Sequence, residues 1–571
     1  MPVPSPDSES AYLEFVQASE GRIEDEDPPY IPMTMTNQNG SVLCETENFD
    51  LLRKIICRDD VTTLKKYLAI APLLIEEVDE LPCYYSFFYI AVSSGSLGAL
   101  KVLLDQYSTV VAPGRRLSFK QRGFLLLNEA ARRAHIDIVQ FLLDNQPSFA
   151  DIQERDPQGC TAILAAADFY STRYKEAFDW QPLVERSTAV IEMLLDRGAC
   201  ASDVVLADAG HKQSTIPDTV LTLAVQWAGS GIIKRLIDEG ADIDAKVTKD
   251  SFHLGLYNQD GDIHEVRAIH MASFHANSVA IDTLHSYRGA NNLDTASVRD
   301  SRGSIPLHWA ARNQLRKQAY TVSRSELQQR VHNILTTINL LLDMDPATVN
   351  DQDIAGNTPL HYAVHYFLEN GKLYTAIFKL LCRRGADASI YNSSRQTPLF
   401  NLLDPDNLYI PDDTEAISIL LANGATVNDT DNAGNTVLHH AARNLRNSSV
   451  ISFLLNEGAD GTAQNMKQNT PLHIAASAEF MPNVPSNRAY EKVNAQNKIL
   501  SQLAAGGKIE LPDPMSMSNS EGKTPRQLLN AKREKWNEID RQLDQQQESM
   551  GRGMGRGMSR GIGRGRGRGM C

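Results

Sequence analysis

The sequence predicts an all-α protein, a solenoid of about 11–12 helix-turn-helix units with disordered termini. Two repeated patterns predict this fold: a Thr-Pro-Leu-His segment that recurs along the chain, and a Leu-Leu pair that precedes Gly-Ala by a few residues. Because a single unit of this kind cannot bury its own apolar face, neighbouring units have to stack. The predicted solenoid occupies residues 49–547, between a disordered acidic segment at 1–48 and a disordered Gly/Arg-rich tail at 548–571.

The first pattern is clearest in three copies, which begin at Thr358, Thr436 and Thr470. These threonines are separated by 78 and 34 residues, and a further copy at Thr397 lies midway in the longer interval. Weaker copies precede them at 161–164, 219–222, 267–270 and 304–308. The first three predicted units keep the helical pattern but lack the threonine-proline start. The repeat is therefore regular in the C-terminal half and degenerate towards the N-terminus.

The residue types of the first pattern suit the start of a helix. Thr358 can serve as the N-cap, and Pro359 fits the first helical position, where its missing N–H costs nothing. His361 falls two positions later, where a side chain can reach back to the cap. The same roles are predicted in the other clear copies for these residues: Thr436, His439, Thr470, Pro471 and His473. Gly385 and its equivalents follow the second helix, where a left-handed conformation favours glycine.

Together the two patterns resemble the ankyrin repeat. The resemblance implies a non-enzymatic scaffold that binds other proteins, with no cofactor and no small-molecule substrate. A metal site is not expected either. His361 and His365 have the spacing of helical zinc ligands, but Tyr362 stands where a metalloprotease motif has Glu, and the sequence suggests no third ligand nearby.

Several units are longer than the usual ankyrin repeat of about 33 residues. The predicted insertions lie mainly between the two helices of a unit, at 168–187, 313–330, 403–413 and 478–488. The first insertion is rich in aromatic residues, which makes these five candidates for partner binding: Phe169, Tyr170, Tyr174, Phe178 and Trp180. The alternative is that this segment folds back and buries its own rings, and the sequence leaves both open.

The charge of the chain is divided unevenly. The whole sequence carries a formal net charge of −14, which argues against a nucleic-acid-binding body. Residues 551–571, in contrast, contain arginines and no acid. Gly/Arg-rich segments expose guanidinium groups that pair with phosphates and stack on bases. This resemblance to the tails of RNA-associated proteins makes six residues candidates for RNA binding or arginine methylation: Arg552, Arg556, Arg560, Arg564, Arg566 and Arg568. The alternative function is thus an RNA-associated adaptor.

The remaining features predict an intracellular protein without a membrane-spanning segment. The N-terminus has no secretory signal pattern, and the most apolar run, 81–92, is too short to cross a bilayer. The 7 cysteines are scattered and form no C-x-x-C pair, so neither a disulfide framework nor a zinc site is expected. We therefore expect a cytoplasmic or nuclear location.

Overall fold

The computed structural model describes most of the chain in separate stretches. These are residues 35–36, 42–43, 48–70, 86–110, 125–147, 149–168, 181–206, 217–249, 261–290, 294–312, 324–365, 371–403, 414–445, 448–478, 489–505 and 513–555. The chain divides into two compact units, Met1–Asp151 and Ile152–Cys571. The aromatic candidates between Phe169 and Trp180 lie outside the described residues, as do the tail arginines from Arg556 onwards.

The first unit contains antiparallel helix pairs and a short two-stranded ribbon. The ribbon pairs β1 (Met35–Thr36) with β2 (Val42–Leu43). The described helices are α1 (Asn48–Cys57), α2 (Val61–Ile70), α3 (Phe87–Ser94), α4 (Leu97–Val110), α5 (Leu126–Arg133) and α6 (Ile136–Asp144). These are the three units whose sequences lack the threonine-proline start. In α3, Ser86 supplies a substitute cap, because its side chain accepts from the backbone N–H of Tyr89 over 3.1 Å.

The second unit continues the same arrangement with helix pairs and a final single helix. The first helices of the pairs are α7 (Ala162–Ala167), α9 (Val220–Ala224), α11 (Ala268–Phe274), α13 (Pro306–Ala311), α15 (Pro359–His365), α17 (Pro398–Leu402), α19 (Val437–Ala442) and α21 (Pro471–Ser477). The second helices are α8 (Gln181–Asp196), α10 (Ser230–Asp238), α12 (Ser278–Ala290), α14 (Arg324–Met344), α16 (Gly371–Arg383), α18 (Glu415–Ala422), α20 (Ser448–Asn456) and α22 (Ala489–Ala505). The chain then forms α23 (Pro525–Gly555). The predicted all-α helix-turn-helix architecture is confirmed.

The helices pack in two layers within the second unit. First helices contact the first helices of the neighbouring repeats, and second helices contact second helices, as in the series α15, α17 and α16, α18. Small side chains allow the close approach of the layers: Ala363, Ala441 and Ala475 are all buried. The apolar core therefore runs continuously from repeat to repeat.

Several boundaries differ from those that the sequence predicts. The insertion at 168–187 ends earlier, because α8 begins at Gln181, and the insertion at 313–330 ends where α14 begins at Arg324. The start of α14, residues 324–330, is mostly polar and resembles a loop in composition. The last helix continues to Gly555, past the predicted tail boundary at 548. A short antiparallel ribbon, β3 (Val247–Lys249) with β4 (Ile263–Val266), adds strand structure that the helical periodicity does not indicate.

Candidate interaction surface

Buried histidines link several repeats to the next one. His361 Nδ1 accepts from the backbone N–H of Thr358 over 3.1 Å and lies 2.9 Å from the Thr358 hydroxyl. The other ring nitrogen, Nε2, lies 3.0 Å from the carbonyl oxygen of Gln396, immediately before the next repeat helix. Because Nδ1 accepts a backbone N–H, the ring proton resides on Nε2 and donates to Gln396. One side chain thus completes the start of its own helix and bonds to the neighbouring repeat.

The same histidine bridge occurs at other repeats. His270 bonds to the carbonyl of Val298, His308 to that of Asn357, and His439 to that of Asn469. His473 accepts from the backbone N–H of Thr470 over 3.1 Å. In the repeat that begins at Thr219, the hydroxyl of Thr222 accepts the backbone N–H that a histidine accepts elsewhere. The threonine hydroxyls at 358, 436 and 470 lie 2.9 Å from Nδ1 of the histidine ring.

Burial keeps these imidazoles neutral. Desolvation lowers the pKa of His361 to about 4 and the pKa of His308 to about 3. Burial lowers the pKa of His439 and of His473 as well. A neutral ring is what the bridge requires, because Nδ1 must keep its lone pair free to accept.

A tight turn precedes several of the first helices and is organised by its own first side chain. Asn392 Oδ1 accepts from the backbone N–H groups of Ser394 and Gln396, both over 3.0 Å. The same two bonds form in the turns that begin at Asp300, Asp431, Asn465 and Asn519. The fourth residue of the turn has a positive φ: Gly303, Gly356, Arg395, Gly434, Gln468 and Gly522. These bonds fix the direction in which each turn projects.

Consecutive turns are also bonded to each other through the backbone. The N–H of Met466 donates to the carbonyl of Ala433 over 3.0 Å. Equivalent bonds start from Ile354, Ser393, Asn432 and Ser520. We call the second residues of these turns the turn-tip row: Ser301, Ile354, Ser393, Asn432, Met466 and Ser520. The row has a rigid backbone because every one of its members donates to the turn before it, Ser301 to His264 in β4.

Two members of the turn-tip row are large and apolar. Ile354 is 74% exposed and Met466 is 76% exposed. In contrast, the first helices that follow the turns are buried almost throughout. Arg395 and Lys467 are exposed beside the row, and the Arg395 guanidinium lies 6.0 Å from the ring centroid of Tyr391. The turn-tip row therefore presents apolar side chains on a hydrogen-bonded backbone, with cationic side chains beside them.

The carboxylates of three turns take a second partner from the following helix. Asp300 accepts from Trp309 Nε1 over 2.9 Å, and Asp431 lies 3.0 Å from His440 Nε2. Asp353 accepts from the hydroxyl of Tyr362 in the same way. Burial alone would raise the pKa of Asp431, but hydrogen bonds from His440 and Asn435 outweigh burial and lower this pKa to about 2. The donor stands nine residues after the aspartate in all three cases, so this spacing could have been recognised in the sequence.

The predicted candidates stand as follows. The repeat anchors occupy the starts of α15, α19 and α21; His361 and His439 bond to the next repeat, whereas His473, among the described residues, bonds only within its own repeat. Arg552 is part of α23, whereas the other tail arginines and the aromatic cluster are outside the described residues. No group of three or more His, Cys, Asp or Glu in the described part of the chain is placed to hold a metal ion. Cys57, Cys160, Cys200 and Cys382 form no disulfide within the described residues.

Comparison with known proteins identifies the repeats. The model of the family described as ankyrin repeats (3 copies) matches residues 408–484, and the single ankyrin repeat model matches residues 355–393. The chain contains ankyrin repeats. These matches include the N-terminal histidines of α15, α19 and α21 and the turns at 431–434 and 465–468. The ankyrin family is a class of stacked repeat whose concave surfaces bind other proteins.

Several curated proteins share this repeat region. The human B-cell lymphoma 3 protein is 32% identical over 149 residues, which are 25% of this chain and 30% of that protein. The Caenorhabditis elegans protein named intracellular phospholipase A2 is 26% identical over 151 residues, 26% of this chain and 13% of that protein. Human neurogenic locus notch homolog protein 1 is 30% identical over 192 residues, 33% of this chain and 6% of that protein. The chain thus spans less than a third of each of these relatives.

A solved ankyrin repeat domain, that of Bcl-3, a member of the IkappaB protein family, also matches. It is 22% identical, with a TM-score of 0.31, over 45% of this chain and 94% of that domain. None of the described helices has the combination of length and apolar character needed to cross a bilayer.

Proposed function

We propose that this ankyrin-repeat protein is a non-enzymatic scaffold that binds other proteins through the turn-tip row of its second unit. The observation that supports this proposal is the exposure of Ile354 and Met466 at equivalent positions of turns whose backbones are held by hydrogen bonds. Anchors on a rigid backbone bind with a smaller loss of conformational entropy than anchors on a mobile loop. The row is therefore preorganised for a partner.

The side chains beside the row indicate the chemistry of the partner surface. Arg395 and Lys467 are exposed cations, and Tyr391 adds a partly exposed aromatic ring. Arginine, methionine and aromatic residues are enriched at protein interfaces relative to the remaining surface. We expect the partner to contribute apolar side chains opposite Ile354 and Met466, with acidic groups near the two cations.

The described residues also support a non-enzymatic role. Buried polar groups of the second unit have structural partners: His361 bonds to the next repeat, and Asp431 organises its own turn. One relative carries the name of a phospholipase, but the match includes only 13% of that protein. We further propose a cytoplasmic or nuclear location, which fits a scaffold with free cysteines.

Affinity capture with matched variants tests the scaffold. The full chain, the double variant Ile354→Ser with Met466→Ser, and the control variant Val279→Ser would be compared under identical conditions. Val279 is 49% exposed on the second-helix layer, away from the turns. Loss of co-purifying proteins with the double variant, and retention with the control, supports the proposal. Equal capture by all three proteins contradicts it.

A second candidate function is RNA contact through the tail. The observation that favours it is the run of arginines without any acid in residues 551–571. Filter binding of a single-stranded RNA to the full chain and to a chain that ends at 550 tests this function. If all six arginines neutralise phosphates, log affinity falls with log salt at a slope of about 4. Retention that does not depend on the tail rejects RNA contact, and mass spectrometry of the purified protein reports arginine methylation separately.

A further inference from the structure

Three successive repeat junctions in the second unit differ in how they are held together. The first junction joins α15 to α17, the second joins α17 to α19, and the third joins α19 to α21. Three kinds of side-chain hydrogen bond cross the first junction at positions that have equivalents in the neighbouring repeats. They are the histidine bridge from His361 to Gln396, an asparagine clamp between the loops, and an amide bond between the turns.

The clamp and the side-chain amide hydrogen bond of the first junction each join two neighbouring loops. Asn350 accepts from the backbone N–H of Asp387 and donates to the carbonyl of Gly385, both over 2.9 Å. Asn392 Nδ2 donates to Asn357 Oδ1 over 3.0 Å. Each bond joins residues that are more than thirty positions apart, so each one holds two repeats together.

The third junction repeats all three bonds with equivalent residues. His439 bonds to the carbonyl of Asn469 over 2.9 Å. Asn428 clamps the carbonyl of Gly458 and the N–H of Asp460. Asn465 Nδ2 donates to Asn435 Oδ1 over 2.7 Å. The three bonds are thus a regular feature on both sides of the second junction.

The second junction lacks all three bonds because each donor position is occupied by an unsuitable residue. Phe400 stands at the position of the bridging histidine and has no hydrogen-bonding group. Ser389 stands at the position of the clamping asparagine, and its short side chain bonds within its own loop to Asp387. Asp431 stands where Asn392 and Asn465 stand in the other turns, and its carboxylate has no N–H to donate.

Two buried polar atoms at this junction also have no partner. Thr397 is fully buried and its Oγ1 forms no hydrogen bond, since Phe400 replaces the histidine that would accept from it. His440 is 9% exposed and its Nδ1 is unpartnered as well. An unpartnered buried polar group lowers the stability of the state that buries it. Opening of this junction would let water reach both atoms.

The bonds that remain at the second junction lie in the turns and loops. Asn432 donates from its backbone N–H to Ser394 and from Nδ2 to Ser393, both over 3.1 Å. The loop N–H of Ala388 donates to Asn423 over 2.9 Å. Between the helices, the rings of Phe400 and His440 meet edge to face with centroids 5.3 Å apart. The turns are therefore held together while the helices depend mainly on apolar contact.

We propose that the second unit opens locally at the junction between α17 and α19, with the hydrogen-bonded turns acting as the hinge. Opening exposes Thr397 and His440 to water and leaves the first and third junctions closed. Ile354 and Met466 lie on opposite sides of this hinge, so opening changes the distance between them. That last consequence rests on the proposed binding function, whereas the opening itself does not.

Hydrogen exchange of the full chain, followed by mass spectrometry, tests the hinge. The amides of 399–403 and 438–442 are expected to exchange at least about tenfold faster than those of 360–364 and 472–476. Equal protection at the three junctions overturns the proposal, as does faster opening at the first or third junction. No partner is needed for this measurement, so failure of the binding proposal leaves its result unaffected.

Two variants that restore missing hydrogen bonds test whether the absence of these bonds causes the second junction to open. Ser389→Asn rebuilds the clamp, and Phe400→His rebuilds the bridge from Thr397 to Asn435. Each is expected to slow exchange at the second junction by about threefold to tenfold without changing exchange in α21. The matched variant His361→Phe is expected to speed exchange at the first junction. Because Phe400→His alters a packed ring, Ser389→Asn provides the independent result. If Ser389→Asn leaves exchange unchanged, the missing bonds are not the cause and the proposal is overturned.

Discussion

The Nε2 atom of His361 lies 3.0 Å from the carbonyl oxygen of Gln396, which is 35 residues further along the chain. The opposite ring nitrogen accepts the backbone N–H at the start of its own helix. A single buried side chain thus contributes to the stability of two repeats at once. Removal of this side chain should weaken both the helix start and the contact between the repeats.

His361→Ala is expected to lower the free energy of unfolding by about 2–4 kcal/mol, because it removes buried hydrogen bonds and leaves a cavity. Urea unfolding of the full chain measures the change. His332→Ala is the matched control, since His332 is exposed on α14, and its effect should stay within about 0.5 kcal/mol. Equal effects of the two substitutions would contradict the bridging role.

Thr358→Ala is expected to cost about 1 kcal/mol, because Thr358 is fully buried and its hydroxyl lies 2.9 Å from His361 Nδ1. Thr358→Ser keeps the hydroxyl and should lose less stability. The two denaturant midpoints provide the comparison. If Thr358→Ser is as unstable as Thr358→Ala, the lost methyl group explains the change and the hydroxyl does not.

Acid should destabilise the second unit through its buried histidines. Burial lowers the pKa of His361 to about 4 from an ordinary value of 6.5, so the unfolded chain binds more protons between these two values. The contribution of this histidine is complete above about pH 6.5 and is lost as the pH falls towards 4. His270 and His308 act in the same direction.

Urea midpoints at pH 8, 7 and 5 measure this linkage. We expect these histidines to change the urea midpoint little between pH 8 and pH 7 and to lower it clearly at pH 5. Each unit of pKa difference that is titrated lowers the free energy of unfolding by about 1.4 kcal/mol. Direct NMR titration of the imidazole resonances reports the same pKa values. A midpoint that is equal at pH 7 and pH 5 would show that the rings are not held neutral by burial.

Gly356→Ala should destabilise more than Gly385→Ala. Both glycines have positive φ, 75° and 96°, which costs an alanine about 1 kcal/mol. An added Cβ at Gly356 would lie 2.9 Å from the backbone nitrogen of Ser393, whereas at Gly385 it would meet no atom within 4 Å. The difference between the two unfolding free energies measures the close approach of neighbouring turns. Equal losses would indicate that the turns can move apart freely.

The sequence predicts the helix pairs and the role of His361 in its own helix, because both depend on residues close together in the chain. It does not predict the exposure of Ile354 and Met466, since the position of a turn depends on the turn packed beside it. Nor does it predict the start of α14, where packing overrides a loop-like composition. The asparagine clamps escape prediction for the same reason, because Asn350 and Asn428 bond only across repeats.

The bonds of His361 and Asn392 to neighbouring repeats lie at the turns and at the beginnings of the first helices, while the predicted insertions follow the ends of those helices. An insertion can therefore grow, shrink or change its chemistry over evolutionary time without disturbing the register of the stack. The four predicted insertions differ in length and composition, as this separation allows. Loops at this edge are consequently the natural place to graft new segments onto the scaffold.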